Sequence, residues 1–548
     1  MSGYNIKMRL TALITLTLSA GLHAHAQYSW ENLPKAAEPV FKKDTFSILA
    51  YGAKADGYTL NTKSINEAIT ACNKKGGGVV LIPAGLWLTG PVEMKSNVNL
   101  HLQRAATLLF TTDKDQYPLV EGVYEGKRAA RNQSPISGTG LSDIAITGSG
   151  VIDGNGDVWR AVGKSVLTEN EWKKKLASGG VLKDDGKEWY PSEQFKKAKL
   201  ENTSMLLVPG KELKDFENMK DFLRPNLVVF TQCKKVLLEG VTFQNSPAWC
   251  LHPLMCEDLV LRNLMVKNPA YAQNGDGVDI ESCKNFLVEG CTFDVGDDAI
   301  CIKSGKDEEG RKRGMPTENG VVRNNLVYKA HGGFVVGSEM SGGARNIFIY
   351  DCSFMGTDKG LRFKSTRGRG GVVEKIYARN IFMKDIEHEA IFFDMFYFVK
   401  FATDGQRDER PVVNEGTPVF RDMQFEQIVC SGADKGIFIR GLSEMAVQNI
   451  RLKDCILTAE TGAEFTDATG ITLENVQLNS RKTSPVISIE NGRDIRFSKL
   501  TYPPGSQLLL KVGGANSKGI DLRNLALPKG TDKVAIGNGA ETTAVVYQ

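Results

Sequence analysis

The sequence predicts an all-β chain wound as a β-solenoid, that is, a parallel β-helix. Two sets of repeats predict it. Three segments align column by column: CKKVLLEGVTF from Cys233, CEDLVLRNLMV from Cys256 and CKNFLVEGCTF from Cys283, spaced by 23 and 27 residues. Val236, Leu259 and Phe286 share one apolar column, Leu238, Leu261 and Val288 a second, and Phe243, Val266 and Phe293 a third. Later segments ending in Phe354 and Met383 continue the pattern. A second strand recurs without gaps: GVDIES from Gly277, AICIKS from Ala299, GFVVGS from Gly333 and GLRFKS from Gly360, at spacings of 22, 34 and 27. AIFFDM from Ala390 and GIFIRG from Gly436 extend it, and AWCLHP from Ala248 reads as an earlier member. Apolar residues alternate with period two, the mark of strands rather than helices. One coil cannot bury its own apolar face, but stacked coils bury a continuous one. A β-sandwich would not align columns through six or more coils.

The elements follow in chain order. Residues 1–26 read as an export leader: Lys7 and Arg9, an apolar stretch Leu10 to Leu22, and Ala24-His25-Ala26 as the small-residue cleavage site. The apolar stretch is too short for a good membrane span, and no other run is long enough. This predicts an exported protein, periplasmic or extracellular. Residues 27–548 then form one β-helix domain. Its 41% hydrophobic and 24% charged residues suit a large core, and a net charge of +4 over 548 residues gives no sign of nucleic-acid binding. TKSINEAITACNKK, Thr62 to Lys75, carries Ile65, Ala68, Ile69 and Cys72 at helical spacing, and Ser64 with Glu67 resembles a capping box. Such a helix would cap the open apolar end of the stack. The repeat is interrupted at about 157–224. There TENEWKKKLAS and KELKDFENMKDF read as polar helices and KEWYPS as a loop. Trp159, Trp172, Trp189 and Tyr190 in this insertion could stack on sugar rings or form a small core of their own.

Alternation assigns faces. Val278, Ile300, Phe334, Leu361, Ile391 and Ile437 point inward, as do Ile280, Ile302, Val336, Phe363, Phe393 and Ile439. Asp279, Arg362, Glu281, Lys303, Lys364, Asp394 and Arg440 fall on the outer face. Cys233, Cys256 and Cys283 fill one column continued by Thr317 and Ala344, which favours buried free thiols, with a bridge between stacked neighbours as the alternative.

The chemistry rides on this repeat. The offset of 22 puts Asp276 over Asp298, about 4.8 Å away for adjacent strands. Asp297 is next to Asp298, so three carboxylates crowd the start of one sheet. Like charges this close raise at least one pKa. An acid that keeps its proton beside ionised partners suits glycoside hydrolysis. His331 follows Asp297 one coil on, and Arg362 and Lys364 one coil further. Such cations would suit a substrate bearing its own carboxylate. Three aspartates could also bind calcium.

These residues resemble glycoside hydrolase family 28, the polygalacturonase family, and its bacterial exo-polygalacturonase-like branch. The matching motifs are NGDGVD from Asn274 to Asp279, GDD from Gly296 to Asp298, HGG from His331 to Gly333 and RFK from Arg362 to Lys364. The family's usual forms are N-T-D, G-D-D, G-H-G and R-I-K; here Gly275, Ala330 and Phe363 depart from them without removing a reacting group. The resemblance implies a right-handed parallel β-helix, a pectic polysaccharide or oligogalacturonide substrate, and no metal or cofactor. It implies Asp297 as general acid, Asp276 and Asp298 on the water, and His331 tuning the acid. Arg362 and Lys364 would hold the galacturonate carboxylate, with Asn274, Asp279 and Lys303 around the sugar. It also implies inversion, with acid and base about 6.5–9.5 Å apart. The insertion and the polar loop Gly305 to Glu318 are expected to close one end of the cleft, giving exo-action, with Lys306, Arg311 and Arg313 on the terminal sugars. A pectate lyase using calcium and a non-catalytic glycan-binding solenoid are the rivals.

Overall fold

The computed structural model of the protein describes residues 28–397, 399, 410–525 and 533–547. The export leader expected over residues 1–26 lies outside them. The described residues from Pro34 onward form one compact unit. That unit is a right-handed parallel β-helix. Among the described residues one wall is a 14-stranded sheet, and the other walls join into a 26-stranded sheet. They join because long strands such as Ala344–Met355 pair with two shorter strands of the coil before.

The 14-stranded wall carries the repeat. Its central members are β1 (Val228–Thr231), β2 (Leu251–Leu254), β3 (Val278–Glu281), β4 (Asp298–Lys303), β5 (Gly332–Val336), β6 (Leu361–Lys364), β7 (Glu389–Asp394) and β8 (Lys435–Arg440). The register is the one the alternation predicts. Val278, Ile300, Phe334, Leu361, Ile391 and Ile437 stack in one column, all fully buried. Phe363 and Phe393, in the second column, stack face to face with centroids 4.4 Å apart. One member enters differently: Leu251 pairs with Val278, so the segment from Ala248 joins the wall two residues later than its alignment suggests. Truncating such a column leaves a cavity that rigid neighbouring coils cannot fill. Ile300→Ala is therefore expected to cost about 2–5 kcal/mol, read as a lower urea midpoint. The same change at Ile456, on a strand but substantially exposed, should cost far less.

Turns between the other walls repeat as well. Gly240, Asn263, Gly290, Asn324, Asp351 and Asn380 occupy equivalent corners, and all adopt positive φ. Glycine, asparagine and aspartate tolerate that left-handed conformation, which explains the Gly- and Asn-rich punctuation. The cysteine stack is present too. The Cys256 amide donates to Cys283 Sγ at 3.3 Å and the Cys283 amide to Thr317 Oγ1 at 3.2 Å. All ten cysteines are buried free thiols.

Helix α1 (Thr62–Lys74) caps the end of the stack with Ile65, Ala68, Ile69 and Cys72 fully buried. Ser64 and Glu67 form no capping box, because the helix starts at Thr62 with Asn61 before it, leaving Ser64 inside the first turn. In the insertion, helix α2 (Glu169–Ala177) starts with a capping box of Thr168 and Glu171. Helix α3 (Glu193–Leu200) was not anticipated. Leu213–Phe222 is 3-10 rather than α-helical, and Glu188–Tyr190 is a strand in a small antiparallel sheet, not a loop. Trp159, Trp172, Trp189 and Tyr190 are all buried, so they pack the insertion and its junction instead of presenting faces to a sugar.

Candidate active site

The outer face of the 14-stranded wall is not a solvated strand face. Asp279 and Glu281 are completely buried, and Lys303, Arg362 and Lys364 nearly so. The cover comes from outside the repeat. An antiparallel hairpin, Leu119–Tyr124 and Lys127–Asn132, stands over the wall. Its base packs on the insertion through Ala129, Ala130, Ala198, Met205, Phe216 and Leu223. Its tip meets helix α4 (Asp307–Arg313) in the loop after β4. There Lys306 pairs with Glu125 at 2.8 Å, Lys127 with Asp307 at 2.7 Å, and the Arg128 amide donates to Glu309 at 3.0 Å.

Beneath this cover the three aspartates meet. Asp276, Asp297 and Asp298 each offer an oxygen, and these lie within 4.8 Å of one another. The coil spacing sets this: the Gly277 amide donates to the Asp298 carbonyl at 2.9 Å, which stacks Asp276 on Asp298, and Asp297 is adjacent in sequence. The grouping is tighter at its nearest oxygens than the 6.5–9.5 Å expected between acid and base.

Their environments separate them. Asp298 is buried, which by itself would favour its neutral form. Lys364, Arg362 and Lys303 overcome that and hold it well below the usual carboxylate range. Arg362 Nη1 donates to Oδ1 at 2.9 Å and Lys364 Nζ to Oδ2 at 2.7 Å. Asp276 is pushed well up, by burial first and then by Asp279 and Asp297. Its Oδ1 is buried with no hydrogen-bond partner among the described residues. Asp279 is raised by burial as well, with Lys303 Nζ 3.7 Å from it opposing the shift. Asp297 is the outermost of the three, its side chain 21% exposed. His331 Nδ1 lies 3.2 Å from Asp297 Oδ1. That hydrogen bond raises the imidazole pKa against the pull of burial.

The structure thus brings Asp276, Asp297, Asp298, His331, Arg362 and Lys364 into one cluster, with Asp279 and Lys303 beside it. Asn274 accepts from Arg224 Nη2 at 2.7 Å. Lys303 is engaged below the surface: it pairs with Glu339 at 2.7 Å and lies over the Trp249 ring. Lys306, Arg311 and Arg313 do not form the open cationic end expected of them. Lys306 is bound to Glu125, Arg313 to the buried Glu281 at 2.6 Å, and Arg311 to the carbonyls of Gly368 and Arg369. The loop folds back onto the wall, so its charges build the structure.

Several residues here escaped sequence reasoning. Tyr397 lies under Arg362 and Lys364, 5.6 and 5.0 Å from them. His252 bridges Asn226 and Glu281 at 3.1 and 2.9 Å. Arg131, Lys199 and Arg224 approach the cluster from the hairpin and the insertion, where no repeat flags them. Only Glu339, just after the GFVVGS strand, could have been found, as the acid answering Lys303.

A model of glycosyl hydrolases family 28 matches residues 164–414. An exopolygalacturonase from Thermotoga maritima is 32% identical with a TM-score of 0.65, covering 81% of this chain and 93% of its own. A family 28 exopolygalacturonase from Yersinia enterocolitica has the same fold, at 24% identity and a TM-score of 0.63, covering 85% and 79%. The exo-poly-alpha-D-galacturonosidase of Dickeya chrysanthemi is 28% identical over 64% of this chain and 57% of its own. A probable polygalacturonase of Vitis vinifera is 31% identical over 62% and 61%. The match thus spans about three fifths of these two curated relatives. With the carboxylate cluster on the predicted coils and one third identity along nearly all of a solved relative, the chain belongs to glycosyl hydrolases family 28.

Proposed function

We propose that the protein is an exported hydrolase that releases galacturonate from the ends of α-linked galacturonate chains, with inversion at the anomeric carbon. Its substrate is a pectic polysaccharide or oligogalacturonide. The observation that carries this reading is three grouped aspartates in three different environments, bound on one side to two buried cations.

Asp297, outermost and hydrogen-bonded to His331, gives its proton to the glycosidic oxygen as the bond to the anomeric carbon breaks. Asp276 and Asp298 hold the attacking water. Asp298, kept ionised by its cations, orients it. Asp276, the second carboxylate on that water, takes its proton as the new bond forms. Arg362 Nε is buried without a partner among the described residues, and a galacturonate carboxylate would answer it. Asn274, Asp279 and Lys303 position the sugar or the aspartates. Water held between Asp276 and Asp298, away from the acid's exposed side, accounts for inversion despite the close spacing of the nearest oxygens.

The cluster fits a metal poorly. Both oxygens of Asp298 already accept from cations, and a calcium ion there would face Arg362 and Lys364 directly. This favours hydrolysis over calcium-assisted elimination. Exo-action is supported by the wall that the insertion, the hairpin and α4 build over the carboxylates, and by the exo-acting name of the Thermotoga relative.

Time-resolved product analysis on polygalacturonate tests the reading. Saturated monosaccharide, or one fixed short product, is expected from the first minutes, in the inverted anomer by NMR, while viscosity falls slowly. An early ladder of oligomers would overturn exo-action; unsaturated, ultraviolet-absorbing products would overturn hydrolysis.

A further inference from the structure

A cavity of about 460 Å³ lies under the hairpin on the coils that precede the aspartates. Hairpin residues Val120 to Val123 line one side, and the outer face of the wall lines the other. The floor is two outer columns on three strands: Ser137, Val229 and His252, then Thr139, Thr231 and Leu254. Three adjacent strands span about 10 Å, enough for two sugar rings. These strands, Ile136–Thr139, β1 and β2, carry no member of the carboxylate cluster. The way toward Asp297 is closed. Arg131 and Asn226 line this cavity, and they also bound a gap of about 10 Å³ against Arg224 and Asn274. Such a gap has room for about one water and none for a sugar. Arg131 Nη2 donates to Asn226 Oδ1 at 3.2 Å, and Asn226 Nδ2 lies 3.1 Å from His252 Nδ1, which fixes the partition. A galacturonate chain at the aspartates cannot run on into this cavity.

Its lining says which ligand. The hydroxyls of Ser134, Ser137, Thr139 and Thr231 form no hydrogen bond among the described residues. Asn132 also lines the cavity and is buried. Its Nδ2 donates to the carbonyls of Lys220 and Leu223 at 2.8 and 2.9 Å, and its Oδ1 has no partner among the described residues. A buried acceptor left unmatched is costly, and a ligand hydroxyl would match it. Charge is close to balanced here. Glu121 at the rim is bound to Arg128 at 2.6 Å, and Glu93, which accepts from the lining residue Gln133 at 2.8 Å, brings a negative charge to the same end as Arg131. Val120, Val229, Leu254 and Met255 add apolar surface for the C–H face of a ring. Convergent neutral polar groups on an apolar floor are what a neutral sugar needs, and no surplus of cations is present to draw a uronate. We propose that this cavity is a second, non-catalytic binding site, which takes a neutral sugar of one or two rings. The site goes beyond the hydrolase reading and stands apart from it, because its occupancy is read without turnover.

The test is titration calorimetry with saturation-transfer NMR on the full-length protein. The neutral probes are methyl β-galactoside and β-galactobiose, and galacturonate is the acidic comparison. Galactobiose is expected to bind at one site per chain, and excess galacturonate should leave its affinity unchanged. Val229→Phe keeps a strand-forming residue and fills the middle of the floor, so it should weaken galactobiose about 10-fold or more. Thr231→Val keeps the shape and removes one hydroxyl, so it should weaken galactobiose about 3–10-fold. Both variants should bind galacturonate as the unaltered protein does. Should Val229→Phe fail to fold, Thr231→Val decides. No saturable binding of either neutral probe, displacement of galactobiose by galacturonate, or unchanged affinity in both variants would overturn the site while leaving the hydrolase reading intact.

Discussion

Asp297→Asn is expected to lower kcat on polygalacturonate by about 10²–10⁴-fold with little change in stability, since proton transfer in the transition state contributes that much. The amide keeps the shape and can still accept from the Asp298 amide, which donates to Asp297 Oδ1 at 3.0 Å. It cannot donate the proton and regain it. A substrate with a good leaving group needs less protonation and should lose much less rate. That contrast separates an acid from a merely structural carboxylate. His331 gives a second readout. The hydrogen bond to Asp297 raises the imidazole pKa against the pull of burial, so the ring should stay charged to higher pH in the wild type. In the Asn variant the hydrogen bond to a carboxylate is gone and the imidazole should titrate lower. A folded Asp297→Asn protein with wild-type turnover would remove the assignment.

Lys364→Met is expected to destabilise the protein by about 3–5 kcal/mol at neutral pH, because it strands a buried carboxylate whose second oxygen loses its cation. The pH dependence fixes the cause. Asp298 is depressed in the folded state, so its pairing contributes stability above the ordinary carboxylate pKa of about 3.9 and loses it as pH falls below that value. With Lys364 gone the Asp298 pKa rises toward or past its unfolded value. The stability gap between the two proteins should therefore narrow as the solution is acidified. The acid limb of kcat/KM should also move to higher pH, since an ionised Asp298 is required to orient water. A constant gap from pH 3 to pH 8 in denaturant titrations would mean that the lysine acts by packing alone.

Much of this could be read from the chain because a solenoid is quasi-one-dimensional. Each coil's partners are the next coils, so an alignment of Val278, Ile300, Phe334 and Leu361 in sequence is also a register in space. The same offset placed Asp276 on Asp298, Asp297 beside His331, and the thiols of Cys256 and Cys283 in one column. Pattern failed where local geometry competes, as at Ser64 and Glu67, at the 3-10 stretch Leu213–Phe222, and at the later entry of Leu251.

What lies over the wall left no periodic trace. Alternation says that Asp279, Lys303 and Lys364 point outward, but not that a hairpin nearly two hundred residues before Asp307 closes on helix α4 through Glu125, Lys127 and Arg128. Nor does it say that Lys199 and Arg224 return to Asp297. The burial that raises Asp276, and the pairing that holds Asp298 ionised, follow from that closure. A carboxylate's position along a coil is set by backbone spacing, which the sequence encodes locally. Its proton affinity is set by the water and charge that distant segments exclude or supply, and those meet it only when the chain has folded.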